Sequence, residues 1–117
     1  MYSTEDKIFA LLTGHAGDLL NKLQAQNATA YSYSDIYDFK RKDIDEYIKI
    51  NGIPNECYKK SPSLKDGYYL VSDDKKWSVY YQERNIKFNE KNFKKEQKAI
   101  DYLVSLLLRA SCTGIDF

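Results

Sequence analysis

The densest chemistry in this sequence lies between Tyr33 and Glu46. Asp35, Asp38, Asp43, Asp45 and Glu46 gather five carboxylates there, with the rings of Tyr33 and Tyr37 among them. Such a set can ligate a hard cation or oppose a basic protein surface. Lys40, Arg41, Lys42 and Lys49 are interleaved with it, so a solvated helix face with local ion pairs accounts for the charges without a metal.

Catalysis has less to draw on. His15 is the only histidine, set between Gly14 and Gly17, and no nucleophile motif accompanies it. Cys57 and Cys112 lack CxxC or Cys/His spacing and read as reduced thiols of a cytoplasmic protein. Asp73-Asp74 suits a turn, and the scattered glycines form no phosphate loop. Neither enzyme activity nor a metal or cofactor is expected. Lys87, Lys91, Lys94, Lys95 and Lys98 form a basic run that could meet nucleic acid. Glu83, Glu90 and Glu96 dilute it, and the net charge is only +1, so solubility explains it better.

These residues must be positioned by a small fold. A chain of 117 residues with 43% hydrophobic and 30% charged residues has the composition of one globular domain, 1–117. MYSTEDK has acids and no long apolar run, which predicts no secretory leader, and no apolar stretch is long enough to span a membrane. Eleven tyrosines lean the chain toward interaction work, since each pairs an apolar ring with a polar tip.

Helical spacing of Ile8, Leu11, Leu12, Leu19, Leu20 and Leu23 predicts a helix from Ser3 to about Gln26. Ser3 or Thr4 caps it, the glycines around His15 bend or split it, and Asn27-Ala-Thr-Ala breaks it. In 31–53, Ser34 is a candidate cap for a short turn through Ile36, Tyr37 and Phe39. Asp43 and Glu46 have capping-box spacing for a second helix faced by Ile44, Tyr47 and Ile48 and stopped by Gly52 and Pro54. A strand over Tyr31–Ile36 is the competing reading. Residues 54–66 are mostly loop, with a short edge strand around Tyr58 as an option.

Tyr68–Ser72, the turn Asp73–Lys76 and Trp77–Arg84 predict a hairpin. Trp77, Val79 and Tyr81 are expected on its core face. Ser78, Tyr80, Gln82 and Arg84 share the other, either partly covered or a contact surface. Ile86-Lys-Phe88 extends the strand or adds a short third one. From about Lys94 to Gly114 the pattern is helical, with Ala99, Ile100, Leu103, Val104 and Leu106–Leu108 making a broad apolar face for the Trp77 side. The expected class is α+β: N-terminal helices, then a small antiparallel sheet (hairpin 68–84) packed against a C-terminal helix.

YYQERN followed by FKKEQKAIDYL resembles a pattern of small bacterial immunity proteins from polymorphic-toxin and contact-dependent growth inhibition systems. There a tyrosine-rich strand ends in Glu-Arg-Gly, and a Phe precedes a helix with an Ala and a Tyr-Leu pair. Tyr81, Glu83, Arg84, Phe93, Ala99, Tyr102 and Leu103 carry the likeness, which covers about residues 67–108. Asn85 stands in the glycine's place, and Asn is the next-best residue for a left-handed backbone.

The resemblance implies a protein that binds a cognate toxin in the cytoplasm and blocks it without turnover. Many such toxins are nucleases with basic grooves, so Asp35, Asp38, Asp43, Asp45 and Glu46 with Tyr33 and Tyr37 are the expected partner-binding set. Glu83 and Arg84 are the second candidates, unless they only blunt a strand end against aggregation. The alternative function is a small nucleic-acid-associated regulator using the 87–98 lysines.

Overall fold

The computed structural model describes residues 2–27 and 31–117. Five α-helices and three strands follow in the order α1 (Thr4–Leu12), α2 (Ala16–Asn27), α3 (Tyr33–Ile36), α4 (Arg41–Asn51), β1 (Gly67–Ser72), β2 (Trp77–Glu83), β3 (Ile86–Phe93) and α5 (Glu96–Ala110). The class is α+β, as expected. The chain forms two compact units, residues 1–54 with 107–117 and residues 55–106. No described helix is long and apolar enough to cross a membrane.

In the helical unit, Ser3 caps α1: its Oγ accepts from the Asp6 amide, and Asp6 accepts back from the Ser3 amide. The helix stops at Thr13–Gly14, where Gly14 takes φ 82°, a left-handed backbone that costs glycine little. Residues 3–26 are therefore two helices. Of the break expected at residues 27–30, only Asn27, the end of α2, lies within the described residues. Ile8, Leu11, Leu12, Ala16 and Leu19 are buried, and α1 packs against α2 and α4.

Both capping assignments between α2 and the sheet move by a few residues. Ser32, not Ser34, precedes α3, and Asp35 accepts from its amide and hydroxyl. Lys40 precedes α4, so Asp43 is the third helical residue rather than the cap, and its carboxylate accepts from the Lys40 amide. A carboxylate works equally well from the third position, where it reaches back to the open amide and meets the positive end of the helix dipole. Tyr33–Ile36 is helical, so the competing strand is not formed. Ile44 and Ile48 turn inward, and Gly52 ends α4.

The sheet is antiparallel, in the order β1-β2-β3. β3 is a full strand of eight residues, longer than the expected extension through Phe88. Its partner register slips between Val79 and Tyr81, leaving Asn89 and Glu90 opposite Tyr80, with Asn89 at φ 56°. Lys59 bridges β1 at Tyr69, making the short edge pairing near Tyr58 a parallel one. α5 packs on the Trp77–Val79–Tyr81 face. Tyr102 meets Phe93 at 5.5 Å between ring centroids, and its hydroxyl donates to the Asn89 carbonyl at 2.8 Å. Val79, Ala99 and Leu103 are fully buried, whereas Trp77, at the strand's start, is only half-buried. α5 ends at Ala110, before Gly114, with Cys112 already left-handed at φ 57°.

Candidate functional site

The β2–β3 connection is a two-residue turn, Arg84-Asn85, with φ 51° and 67°. Positive φ at both central residues matches the twist of an antiparallel hairpin. Asn85 adopts the left-handed state more readily than most residues, and Arg84 is held there from outside the hairpin: its amide donates to Asp66 Oδ1 at 3.0 Å. Asp66 thereby ties the turn to the loop before β1. At that junction Gly67 has φ 135°, and a Cβ there would stand 2.8 Å from Lys59 Nζ, which donates to the Asp66 carbonyl. The flexible lysine end could shift aside, so it is the φ of 135° that disfavours any residue but glycine here.

On the face that α5 shares, a row of rings crosses the three strands. Tyr81 pairs with Tyr68 on β1 and with Phe88 on β3, at centroid separations of 4.9 and 6.5 Å. Ile86 pairs with Glu83 at the end of the same face. Phe88 is 44% exposed and Ile86 58% exposed. The side chains of Glu83 and Arg84 form no ion pair or hydrogen bond among the described residues. The result is an open ledge of Tyr81, Phe88 and Ile86, edged by two unspent charges on a turn fixed by Asp66.

The opposite face is covered, which resolves the two options the alternation leaves open. Tyr69 and Tyr80 stack at 4.9 Å and are buried, and Gln82 is buried with them. Loop 61–66 lies over them. Gln82 Nε2 donates to the carbonyls of Ser63 (2.8 Å) and Lys65 (3.1 Å), and the Tyr69 hydroxyl bonds Ser63 Oγ (2.6 Å) and donates to the Lys65 carbonyl. A buried amide so satisfied orders the loop as strongly as it fills the core. Burial, then the neighbouring Tyr69 and Glu90, push the Tyr80 hydroxyl above its ordinary pKa.

Part of the lysine run lies on tyrosine faces. Lys87 Nζ sits 4.5 Å from the Tyr80 ring centre and 3.8 Å from Glu90, and Lys91 Nζ sits 4.9 Å from the Tyr102 ring. These two ammonium groups already have partners, so the run is no continuous stripe of unpaired charge.

The acidic set of the helical unit is largely occupied with holding that unit together. Asp35 and Asp43 close the starts of α3 and α4, and the Ser32 amide, then its hydroxyl, hold the Asp35 carboxyl below its usual pKa. Asp45 pairs with Arg41 at 2.9 Å. Asp38 and Glu46 remain exposed and without a partner among the described residues. Tyr33 is half-buried, its hydroxyl 3.5 Å from where a Cβ on Gly17 would sit. Tyr37 is buried between Tyr33 and Phe39, so its ring is core rather than a contact surface. Its hydroxyl has no partner among the described residues, and burial, then Tyr33, push it up to about 12.

Surface clefts open among the described residues of this unit. One of about 430 Å³ is lined by Tyr2, Lys7, Gln26, Tyr31 and Asp35 among others, and one of about 400 Å³ by Tyr2, Asp6, His15, Asp18 and Lys22 among others. His15 is exposed and 3.4 Å from Asp18, and among the described residues no Ser, Thr or Cys lines that cleft. In the sheet unit, burial and then Glu56 push the Cys57 thiol up to about 11, away from the thiolate a nucleophile needs. Among the described residues no group of three His, Cys, Asp or Glu side chains could hold a metal.

No known protein family, curated protein or solved structure matches the chain. Of the residues that the sequence singles out for partner binding, Glu83 and Arg84 lie at the ledge, while the α3–α4 residues belong to the other compact unit. Ile86, Phe88 and Asp66 are additions from the structure. The signal for Ile86 and Phe88 in the sequence is Asn85, a residue suited to a left-handed turn, because a two-residue turn there requires a following strand that carries them; Asp66, 18 residues before the turn residue it holds, has no such signal.

Proposed function

We propose that this chain is an immunity protein, acting in the cytoplasm, that binds a cognate bacterial toxin through the open end of its sheet and blocks it without turnover. The observation that carries this is the ledge of exposed Phe88 and Ile86 beside half-buried Tyr81, edged by Glu83 and Arg84, whose charges are unpaired among the described residues. Side chains on paired strands lose little freedom when covered, so Phe88 and its neighbours give contact area at low entropic cost. The residues behind the family resemblance also support the reading. Asn85 takes the left-handed backbone that the pattern's glycine would take, Phe93 meets Tyr102, and Ala99 and Leu103 are buried.

The α3–α4 acids give less support than their density suggests, because Asp35, Asp43 and Asp45 are engaged within the chain. The nucleic-acid alternative loses Lys87 and Lys91 to tyrosine faces. The test is growth. Cells expressing the toxin domain encoded beside this chain's gene should survive when the chain is co-expressed. Absence of a toxin gene there, or death despite co-expression, rejects the proposal.

A further inference from the structure

Loop 61–66 carries Leu64, whose side chain is 83% exposed, more than any other large apolar residue described. A single exposed leucine means little on a mobile loop. Here the residues on both sides of it are fixed. The carbonyls of Ser63 and Lys65 accept from buried Gln82, Ser63 Oγ and the Lys65 carbonyl bond buried Tyr69, and Asp66 holds the Arg84 amide. Leu64 is thus held out in water by anchors on either side. Two cationic side chains in this framework have no partner among the described residues: Lys65, beside Leu64, and Arg84, whose amide Asp66 holds; Glu83, next to Arg84, is likewise without one. Lys59, by contrast, is spent on the Asp66 carbonyl.

We propose that loop 61–66 is a pre-ordered anchor for a protein partner whose surface offers an apolar socket for Leu64 rimmed by carboxylates facing Lys65 and Arg84. This rests on the chain's working by protein binding, and it makes the toxin's contact surface acidic here, unlike the basic groove that the acids between Asp35 and Glu46 invite. Nucleic acid satisfies the cations but has no socket for an isolated leucine, so a protein fits the site better. Because the loop is ordered before contact, little entropy is lost on docking, and truncation of Leu64 should act on binding and not on folding.

The test is selection of a displayed library of random twelve-residue peptides on the immobilised full chain. The proposal expects enriched peptides that place a bulky apolar residue next to Asp or Glu. Their affinity should fall at least tenfold for Leu64→Ser and for Lys65→Glu/Arg84→Glu, with melting temperatures within a degree or two of the parent. No enrichment, enriched peptides indifferent to Leu64→Ser, or single-stranded DNA binding at comparable affinity would each overturn it. Enrichment with these dependences, alongside failure of the growth test, would leave the anchor standing and reject the immunity function.

Discussion

Asp66 and Arg84 are joined across 18 residues of sequence by one bond, from the Arg84 amide to the Asp66 carboxylate at 3.0 Å. That bond links the β2–β3 turn, with its exposed ledge, to the loop that seals the other face of the sheet. Replacing Asp66 with Ala should therefore loosen both. Amide exchange at Arg84 should accelerate about tenfold, as expected for losing a bond worth roughly 1.4 kcal/mol. Unchanged exchange would mean that the turn is fixed by its own strands alone.

The turn itself makes a second prediction. Asn85 sits at φ 67°, where glycine is at ease and β-branched residues are not. Asn85→Gly should leave stability within about 0.5 kcal/mol, whereas Asn85→Val should cost about 1–2 kcal/mol. Urea denaturation of the two variants against the parent reads this directly. Equal midpoints for both would contradict the left-handed assignment.

Tyr37 predicts an alkaline signature. Its hydroxyl is buried, without a partner among the described residues, and its pKa is pushed up to about 12 from an ordinary value of 10. The folded state thus keeps a proton that the unfolded chain releases above pH 10. The stability from this group is full below pH 10 and falls as pH rises toward 12, by about 1.4 kcal/mol per pH unit. Tyr37→Phe should remove that component and, by deleting an unsatisfied polar atom, leave stability at pH 7 equal or higher by about 1 kcal/mol. A parent and variant that lose stability in parallel from pH 10 to 12 would refute it.

The core of the sheet unit gives a fourth. Leu103 is fully buried in the helix that packs on the sheet. Leu103→Ala should cost about 2–5 kcal/mol, seen as a lowered thermal midpoint. Trp77→Ala should cost less than its size suggests, because that ring is only half-buried.

The class and most elements were legible from spacing alone, since Ile8, Leu11, Leu103 and Leu107 recur at helical intervals and Tyr68–Ser72 and Trp77–Glu83 alternate. β3 was less legible for a physical reason. It is an edge strand exposed along nearly its whole length, with its alternation broken by the bulge at Asn89, so Asn, Glu and Lys occupy it without a buried face to enforce a pattern. The sequence leaves the cover over Gln82 open for the converse reason: its partners are backbone carbonyls of a distant loop, which no residue type announces. The same limit applies to the site. Carboxylate density between Asp35 and Glu46 signals charge but does not separate helix-capping acids from free ones. The ledge depends on strand pairing that only the register reveals.

Toxin binding through the sheet's open end stands or falls with affinity for the toxin domain encoded beside this chain's gene. Titration calorimetry should compare the parent with Phe88→Ser/Arg84→Glu at the ledge and with Asp38→Lys/Glu46→Lys, the two acids between Asp35 and Glu46 without partners among the described residues. The ledge variant should lose at least about a hundredfold in affinity and the helical one less than about fivefold, with folding of both matched by circular dichroism. A ledge variant that binds like the parent while the helical variant loses the toxin would contradict it.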